Sequence, residues 1–131
     1  MKLLRLKGRK TSEQLLRKGM AWKGKHLTIR WLPGIPRIET KEGLYLGTFA
    51  SGKLNDSAVT RNRMRRRCRE ALRLAVQTEE HLPSAQLLVS PRSSSLHVPF
   101  RDLQQEVRTF LSVLRACQPT PRRNSPSAGS S

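Results

Sequence analysis

Acidic residues are scarce in this chain. Against 26 Lys and Arg stand only 9 Asp and Glu, a formal net charge of +17 over 131 residues. That imbalance makes nucleic acid the leading partner and an anionic membrane surface a distant second. Aromatic residues are also few, 5% of the total, which argues against an extended base-stacking platform as the main source of binding. Two cysteines, Cys68 and Cys117, do not make a disulfide scaffold, and two reduced thiols are expected. The histidines, His26, His81 and His97, stand singly. No Cys/His spacing suits zinc, no glycine-rich phosphate loop is present, and no nucleophile sits beside a base. Apolar runs are too short to span a bilayer, and the first residues lack the apolar stretch of a signal peptide, so a cytoplasmic location without membrane contact is expected.

What the chain has in abundance is arginine, concentrated in one place. Arg61, Arg63, Arg65, Arg66, Arg67, Arg69 and Arg73 fall within thirteen residues containing neither Gly nor Pro. Arg, Ala, Leu, Met and Glu favour helix, so this run is expected to be helical. At about 100° per residue, Thr60, Met64, Cys68, Ala71, Leu72 and Ala75 form one stripe that can dock on a core. The arginines and Asn62 fan over the remaining roughly 200°, with Arg61 near the border at the first turn. Guanidiniums this close repel one another, and phosphates taking their place beside them relieve that cost. Glu70, one turn from Arg66, Arg67 and Arg73, is expected to orient one of them. Asn62 offers a neutral amide suited to a base edge, a ribose hydroxyl or a hydrated metal ion.

Elsewhere the pattern alternates between helix and strand periods. Thr11 or Ser12 is placed to cap a short helix containing Leu15 and Leu16, with Gly19 as its stop. Residues 25–32 alternate, with Leu27, Ile29 and Trp31 on one face and His26, Thr28 and Arg30 on the other, which predicts a half-exposed strand. A short strand over 37–40, a turn at Lys41-Glu42-Gly43 and a partner strand over 44–50 read as a hairpin. Tyr45, Gly47 and Phe49 share one face of that partner, which is either core or a shelf for single-stranded nucleotides. Asn55, Asp56 and Ser57 can each cap the arginine helix. Residues 85–90 form a short apolar strand, and Phe100, Leu103, Val107, Phe110, Leu111 and Leu114 repeat as an amphipathic helix. The order α-β-β-β-α-β-α predicts an α+β, two-layer sandwich of about four strands with helices packed on the sheet. One domain over 1–117 is expected, followed by a polar tail over 118–131 too poor in apolar residues to fold.

Ala58-Val59, Arg61-Asn62-Arg63, Arg65-Arg66, Arg69-Glu70-Ala71 and Arg73 together resemble the RNR signature of the bacterial ribonuclease P protein family. That resemblance implies the same α+β fold, with an unusual left-handed crossover around the arginine helix. It also implies a catalytic centre in a partner RNA with Mg²⁺, and a protein, one per RNA, that binds this catalytic RNA and the 5′ leader of precursor tRNA. Arg63, Arg65, Arg66, Arg67, Arg69 and Arg73 would grip the catalytic RNA. Arg61 and Asn62 would touch both RNAs. In this family the sheet and first helix hold the leader, which makes Trp22, Trp31, Tyr45 and Phe49 the stacking candidates and Lys53 a phosphate contact. Ser12 stands where the family often has phenylalanine, and the loop before the arginine helix is one residue longer and carries an acid, Asp56.

A non-enzymatic RNA-binding protein of ribosomal or assembly type would share the size, charge and element order. A DNA-binding module would insert the arginine helix into a major groove. Arginines spread over so wide an arc fit a single groove poorly.

Overall fold

The structure is a computed structural model that describes residues 3–36, 39, 41–50, 53–79 and 81–116. Its elements run β1 (Leu3–Arg5), α1 (Arg9–Lys18), β2 (Met20–Lys23), β3 (Leu27–Pro33), β4 (Leu44–Thr48), α2 (Ala58–Gln77), β5 (Ala85–Pro91), a 3₁₀ turn (Ser93–Leu96) and α3 (Phe100–Ala116). The α+β class is as expected, and one five-stranded sheet in the order β1-β4-β5-β3-β2 replaces the expected four strands. The tail over 118–131 and Cys117 lie outside the described residues.

The two additional strands carry weak patterns. Residues Leu3–Arg5 are too few to show alternation, yet they pair in parallel with β4 through Leu3–Leu44, Leu4–Tyr45 and Arg5–Leu46. β2 lies mostly in water at the opposite edge, antiparallel to β3, so no apolar alternation marks it. The expected hairpin is not formed: β4 has β1 and β5 as neighbours, both parallel. Of its other proposed strand, only Glu39 is described, and it is not in a strand. α2 is therefore the crossover between two adjacent parallel strands, the arrangement that places a helix over the sheet.

Strand alternation sorts side chains onto two faces. Leu27, Ile29 and Trp31 of β3, Leu44 and Leu46 of β4, and Leu87 and Val89 of β5 pack with α2 and α3, where Cys68, Leu72, Leu103, Phe110 and Leu111 are buried. On the other face Leu15 of α1 packs against Leu6, Tyr45 and Leu88. Helices thus cover both faces, α1 lying opposite α2 and α3, and not one face as a two-layer reading implies. α1 also starts a turn earlier than expected. Gly8, at φ 92°, turns the chain from β1 directly into the helix, with no side-chain cap from Thr11 or Ser12. Gly19 ends it as expected, its N–H donating to the Leu15 carbonyl at 2.9 Å.

Glu106 fastens α3 to the opening of β3. Its carboxylate accepts from the N–H of His26 at 2.8 and 3.1 Å and from that of Leu27 at 3.2 Å. The approach depends on Gly24, where a Cβ would fall 1.9 Å from Glu106 Oε1 and 2.7 Å from Trp22 Cζ3.

Candidate nucleic-acid interface

Ser57 is the α2 N-cap, its Oγ accepting from Thr60 N–H at 3.2 Å, and Asn55 Oδ1 in turn accepts from Ser57 N–H at 2.8 Å. From that start the apolar stripe falls as expected, with Met64, Cys68, Ala71, Leu72, Ala75 and Val76 buried. The Cys68 thiol is pushed up to about 12, chiefly by burial, with the Ser95 hydroxyl and Arg67 pulling the other way and the Glu106 charge adding to the rise. It is an inert packing group.

The seven arginines do three different things. Arg65, Arg66, Arg69 and Arg73, with Asn62, line a cleft of about 830 Å³ between α2 and the β1 edge of the sheet. Its opposite wall is Leu3 to Leu6, Gly47 and Thr48, with Ser12 of α1 at one end. Arg5 brings a fifth guanidinium to this cleft, a contribution hidden in the sequence because its strand is so short. Asn62 Oδ1 accepts from Arg65 Nη2, which braces Arg65 and leaves the Asn62 amide N–H groups available. Glu70 pairs in two-pronged fashion with Arg73, so Arg73 is the arginine that Glu70 orients. The bond from Arg73 holds the Glu70 carboxyl below the usual carboxylate range, and Glu70 raises Arg73 in turn. Both partners are exposed, so the pair orients more than it stabilises.

Arg67 and Arg61 point elsewhere. Arg67 donates from Nη1 to the Ser95 carbonyl and from Nη2 to the Val98 carbonyl, both at 2.5 Å, stapling α2 to the 3₁₀ turn. Arg67 was expected to grip the RNA, and in the folded chain its two terminal nitrogens are engaged by backbone carbonyls. It lies at the edge of the apolar stripe, where the turn before α3 leaves carbonyls without N–H partners. Arg61 Nη1 donates to the Asn55 carbonyl at 2.6 Å and secures the approach to α2 outside the cleft. Arg63 is exposed on the flank away from the cleft.

The stacking candidates separate by burial. Trp31 is 4% exposed, on the α3 face, with its ring 6.2 Å from Phe110 in an edge-on arrangement. Trp22 is half-buried on the same face, 5.6 Å from Phe110. Tyr45 is 2% exposed beneath α1, its hydroxyl donating to the Lys41 carbonyl at 2.7 Å. Trp31 and Tyr45 are core residues and offer no free ring face. Phe49 is 47% exposed, and Lys53 is exposed in the turn before α2. The register brings Lys23, Thr28 and Ser90 into one row, and Ala21, Arg30, Leu88 and Gly47 into the next, on the α1 side of the sheet. Phe49 continues β4 beside them, its N–H on the Val89 carbonyl at 2.9 Å. Arg30, whose Nη1 reaches the Leu16 carbonyl at 3.4 Å, is legible in the sequence as a water-facing strand residue but not as part of a site.

A family model described as Ribonuclease P matches residues 1–115. The chain belongs to the ribonuclease P protein family. The ribonuclease P protein component of Thermus thermophilus is 37% identical over 106 residues, 81% of this chain and 56% of that protein. The chain thus spans little more than half the length of its Thermus relatives. The Rickettsia canadensis component is 29% identical over 115 residues, 85% of this chain and 97% of that protein. Among solved structures, the Staphylococcus aureus RNase P protein superposes with a TM-score of 0.65 at 20% identity, covering 86% of this chain and 95% of that one. The Thermotoga maritima RNase P protein does so at 0.65 and 18%, covering 88% and 98%. At such identities these two matches bear on the fold.

Among the described residues the Mg²⁺ expected of the family finds no fitting donor set. Among the described residues no three His, Cys, Asp or Glu side chains cluster to hold a metal ion, and the charged groups lining the cleft are guanidiniums. The carboxylate adjoining it, Glu70, is committed to Arg73.

Proposed function

We propose that this chain is the protein subunit of ribonuclease P, binding the catalytic RNA and the 5′ leader of precursor tRNA and assisting removal of that leader. The observation that carries this reading is the arginine cleft on the helix bearing the RNR signature, in a chain matched by the family over 1–115. Arg65, Arg66, Arg69 and Arg73 face a shared concave space, so phosphates entering it meet several guanidiniums at once and relieve their mutual repulsion. Arg63 adds charge on the outer flank. The Asn62 amide N–H groups, freed by the Arg65 contact, can donate to a base edge or a ribose hydroxyl. The leader would lie on the α1 side of the sheet beside Phe49, with Arg30 and Lys23 near its phosphates. Lys53, in the turn before α2, would add a phosphate contact.

In this reading the protein performs no bond-breaking step. It lowers repulsion between two RNAs and positions the leader, while hydrolysis with Mg²⁺ belongs to the RNA and its substrate. One protein acts per RNA, in the cytoplasm.

Reconstitution tests it. The full chain is combined with a bacterial ribonuclease P RNA at low Mg²⁺ and scored for 5′ processing of precursor tRNA. Cleavage that needs both components is expected. Cleavage by RNA-free protein, or no stimulation of the RNA, would overturn the reading.

A further inference from the structure

The wall of the arginine cleft that faces α2 is a lightly held strand. β1 stands at the edge of the sheet with β4 as its strand neighbour, and the pairing is short and parallel, the weaker of the two kinds. Gly8, at φ 92°, joins it to α1. Alternation sends its side chains to opposite faces. Leu4 and Leu6 turn toward α1, and Arg5 turns toward α2 and into the cleft.

What seats β1 is the lack of a side chain beneath it. Leu6 is 8% exposed, packed with Leu15, Tyr45 and Leu88, and its N–H donates to the Leu46 carbonyl at 2.9 Å. It lies over Gly47 of β4, where a Cβ would stand 3.1 Å from Leu6 Cδ2 and 3.3 Å from Leu88 Cδ1. Both separations are tighter than carbon atoms prefer. Leu88 belongs to β5, which has a strand on either side, so the strand that would give way is β1. Gly47 is thus a notch that lets Leu6, and with it Arg5, come close to β4.

Electrostatics works against this seat. Arg5 shares the cleft with Arg65, Arg66, Arg69 and Arg73, and no acid stands among the described residues lining it. The ion pairs found among the described residues, Glu70–Arg73 and Glu79–Arg115, do not include Arg5. Like charges therefore push on the wall least able to resist. A phosphate between the two walls attracts both and reverses the sign of that force.

We propose that Leu6 is the positioning residue for Arg5. Seated in the Gly47 notch, it holds β1 as a strap along the cleft, and phosphate in the cleft draws the strap tight. This rests on the reading of the cleft as an RNA grip, and it names the side chain that brings the far wall into contact.

The test uses the full chain with a bacterial ribonuclease P RNA and, separately, with oligouridylate. Arg5→Gln should flatten the plot of log K against log salt by about 0.7–0.9, the loss of one phosphate contact. Gly47→Ala removes no charge, yet it should flatten the slope by nearly as much, and adding it to Arg5→Gln should change the slope no further. Leu6→Val in the Gly47→Ala background shortens the side chain that the new methyl meets and should restore most of the slope. Exchange of the Leu6 amide hydrogen should slow about 5-fold or more on RNA binding, beyond any slowing in α3. A Leu6 that serves only packing would lower the unfolding midpoint of Gly47→Ala and leave its salt slope at the wild-type value, which overturns the proposal. An unchanged slope in Arg5→Gln, or Leu6 exchange that RNA leaves untouched, overturns it as well. Should Gly47→Ala fail to fold by circular dichroism, Leu6→Ala empties the seat without crowding it and decides the same comparison. Failure of the ribonuclease P reading looks different: wild-type protein would bind that RNA no more tightly than unrelated structured RNA, while the slopes with oligouridylate still decide whether Leu6 positions Arg5.

Discussion

Arg67 donates to the carbonyl oxygen of Ser95, and through its second nitrogen to that of Val98, so one residue of the arginine helix serves the fold while its neighbours face the solvent. Hydrogen bonds from a charged donor are worth about 1.5–3 kcal/mol, and removing this guanidinium orphans two carbonyls. Arg67→Met is expected to lower stability by about 2–4 kcal/mol in urea unfolding, with the salt slope of RNA binding intact. A flattened slope in a stably folded Arg67→Met would return Arg67 to the RNA.

The cleft arginines should behave in the opposite way. Arg65→Ala, Arg66→Ala and Arg69→Ala together should leave the unfolding midpoint close to wild type, because these side chains face the cleft and not the core. The salt slope should flatten by roughly 0.7–0.9 for each phosphate no longer neutralised. Equal slopes for this variant and wild type would exclude the cleft as the RNA grip.

Trp31 and Phe49 make a matched pair of aromatic tests. Trp31→Ala opens a cavity in the α3 core and should cost about 3–5 kcal/mol of stability. Phe49→Ala should cost little stability but weaken leader binding by about 1–3 kcal/mol if a base stacks there, measured by comparing precursor and mature tRNA affinities.

Gly24 is constrained by Glu106. A methyl group would meet the carboxylate and the Trp22 ring, so Gly24→Ala should cost about 1–3 kcal/mol by overpacking, seen as a lower thermal midpoint. Pairing it with Glu106→Ala should recover part of that deficit in a double-mutant cycle.

Alkaline pH should destabilise the fold through Cys68. Its folded pKa is raised to about 12 from a reference of 9.0, so above pH 9 the unfolded chain releases a proton that the native state retains. Stability is unaffected by this group below pH 9 and falls by up to about 1.4 kcal/mol per pH unit between 9 and 12. Tyr45, also raised, first by burial and then by the Glu39 and Glu42 charges, acts in the same direction at higher pH. Cys68→Ser should make the decline shallower in denaturation series at pH 8, 9 and 10.

Much of the architecture can be read directly from the chain. The stripe of Met64, Cys68, Ala71, Leu72 and Ala75 is buried as its spacing requires, and the α3 repeat from Leu103 to Leu114 lies on the sheet. Helical periodicity is a local property, carried by many residues within one segment. β1 escapes such a reading because three residues hold no periodicity, and its pairing with β4 joins positions some forty residues apart. The expected hairpin does not form for a related reason. Turn residues at Lys41-Glu42-Gly43 signal a change of direction and say nothing of which strand occupies the edge beside β4.

Charge density, helix, buried stripe and the expectation of a nucleic-acid partner follow from the order of residues alone, because each depends on composition or on neighbours within a few turns. Which guanidiniums are free to meet RNA does not. Arg61, Arg65 and Arg67 are chemically identical, and only the folded chain puts a carbonyl beside two of them and open space beside the third. The same holds for Trp31 and Phe49: what stands opposite a ring depends on which helix crosses that face, and that is settled by packing between segments distant in the chain.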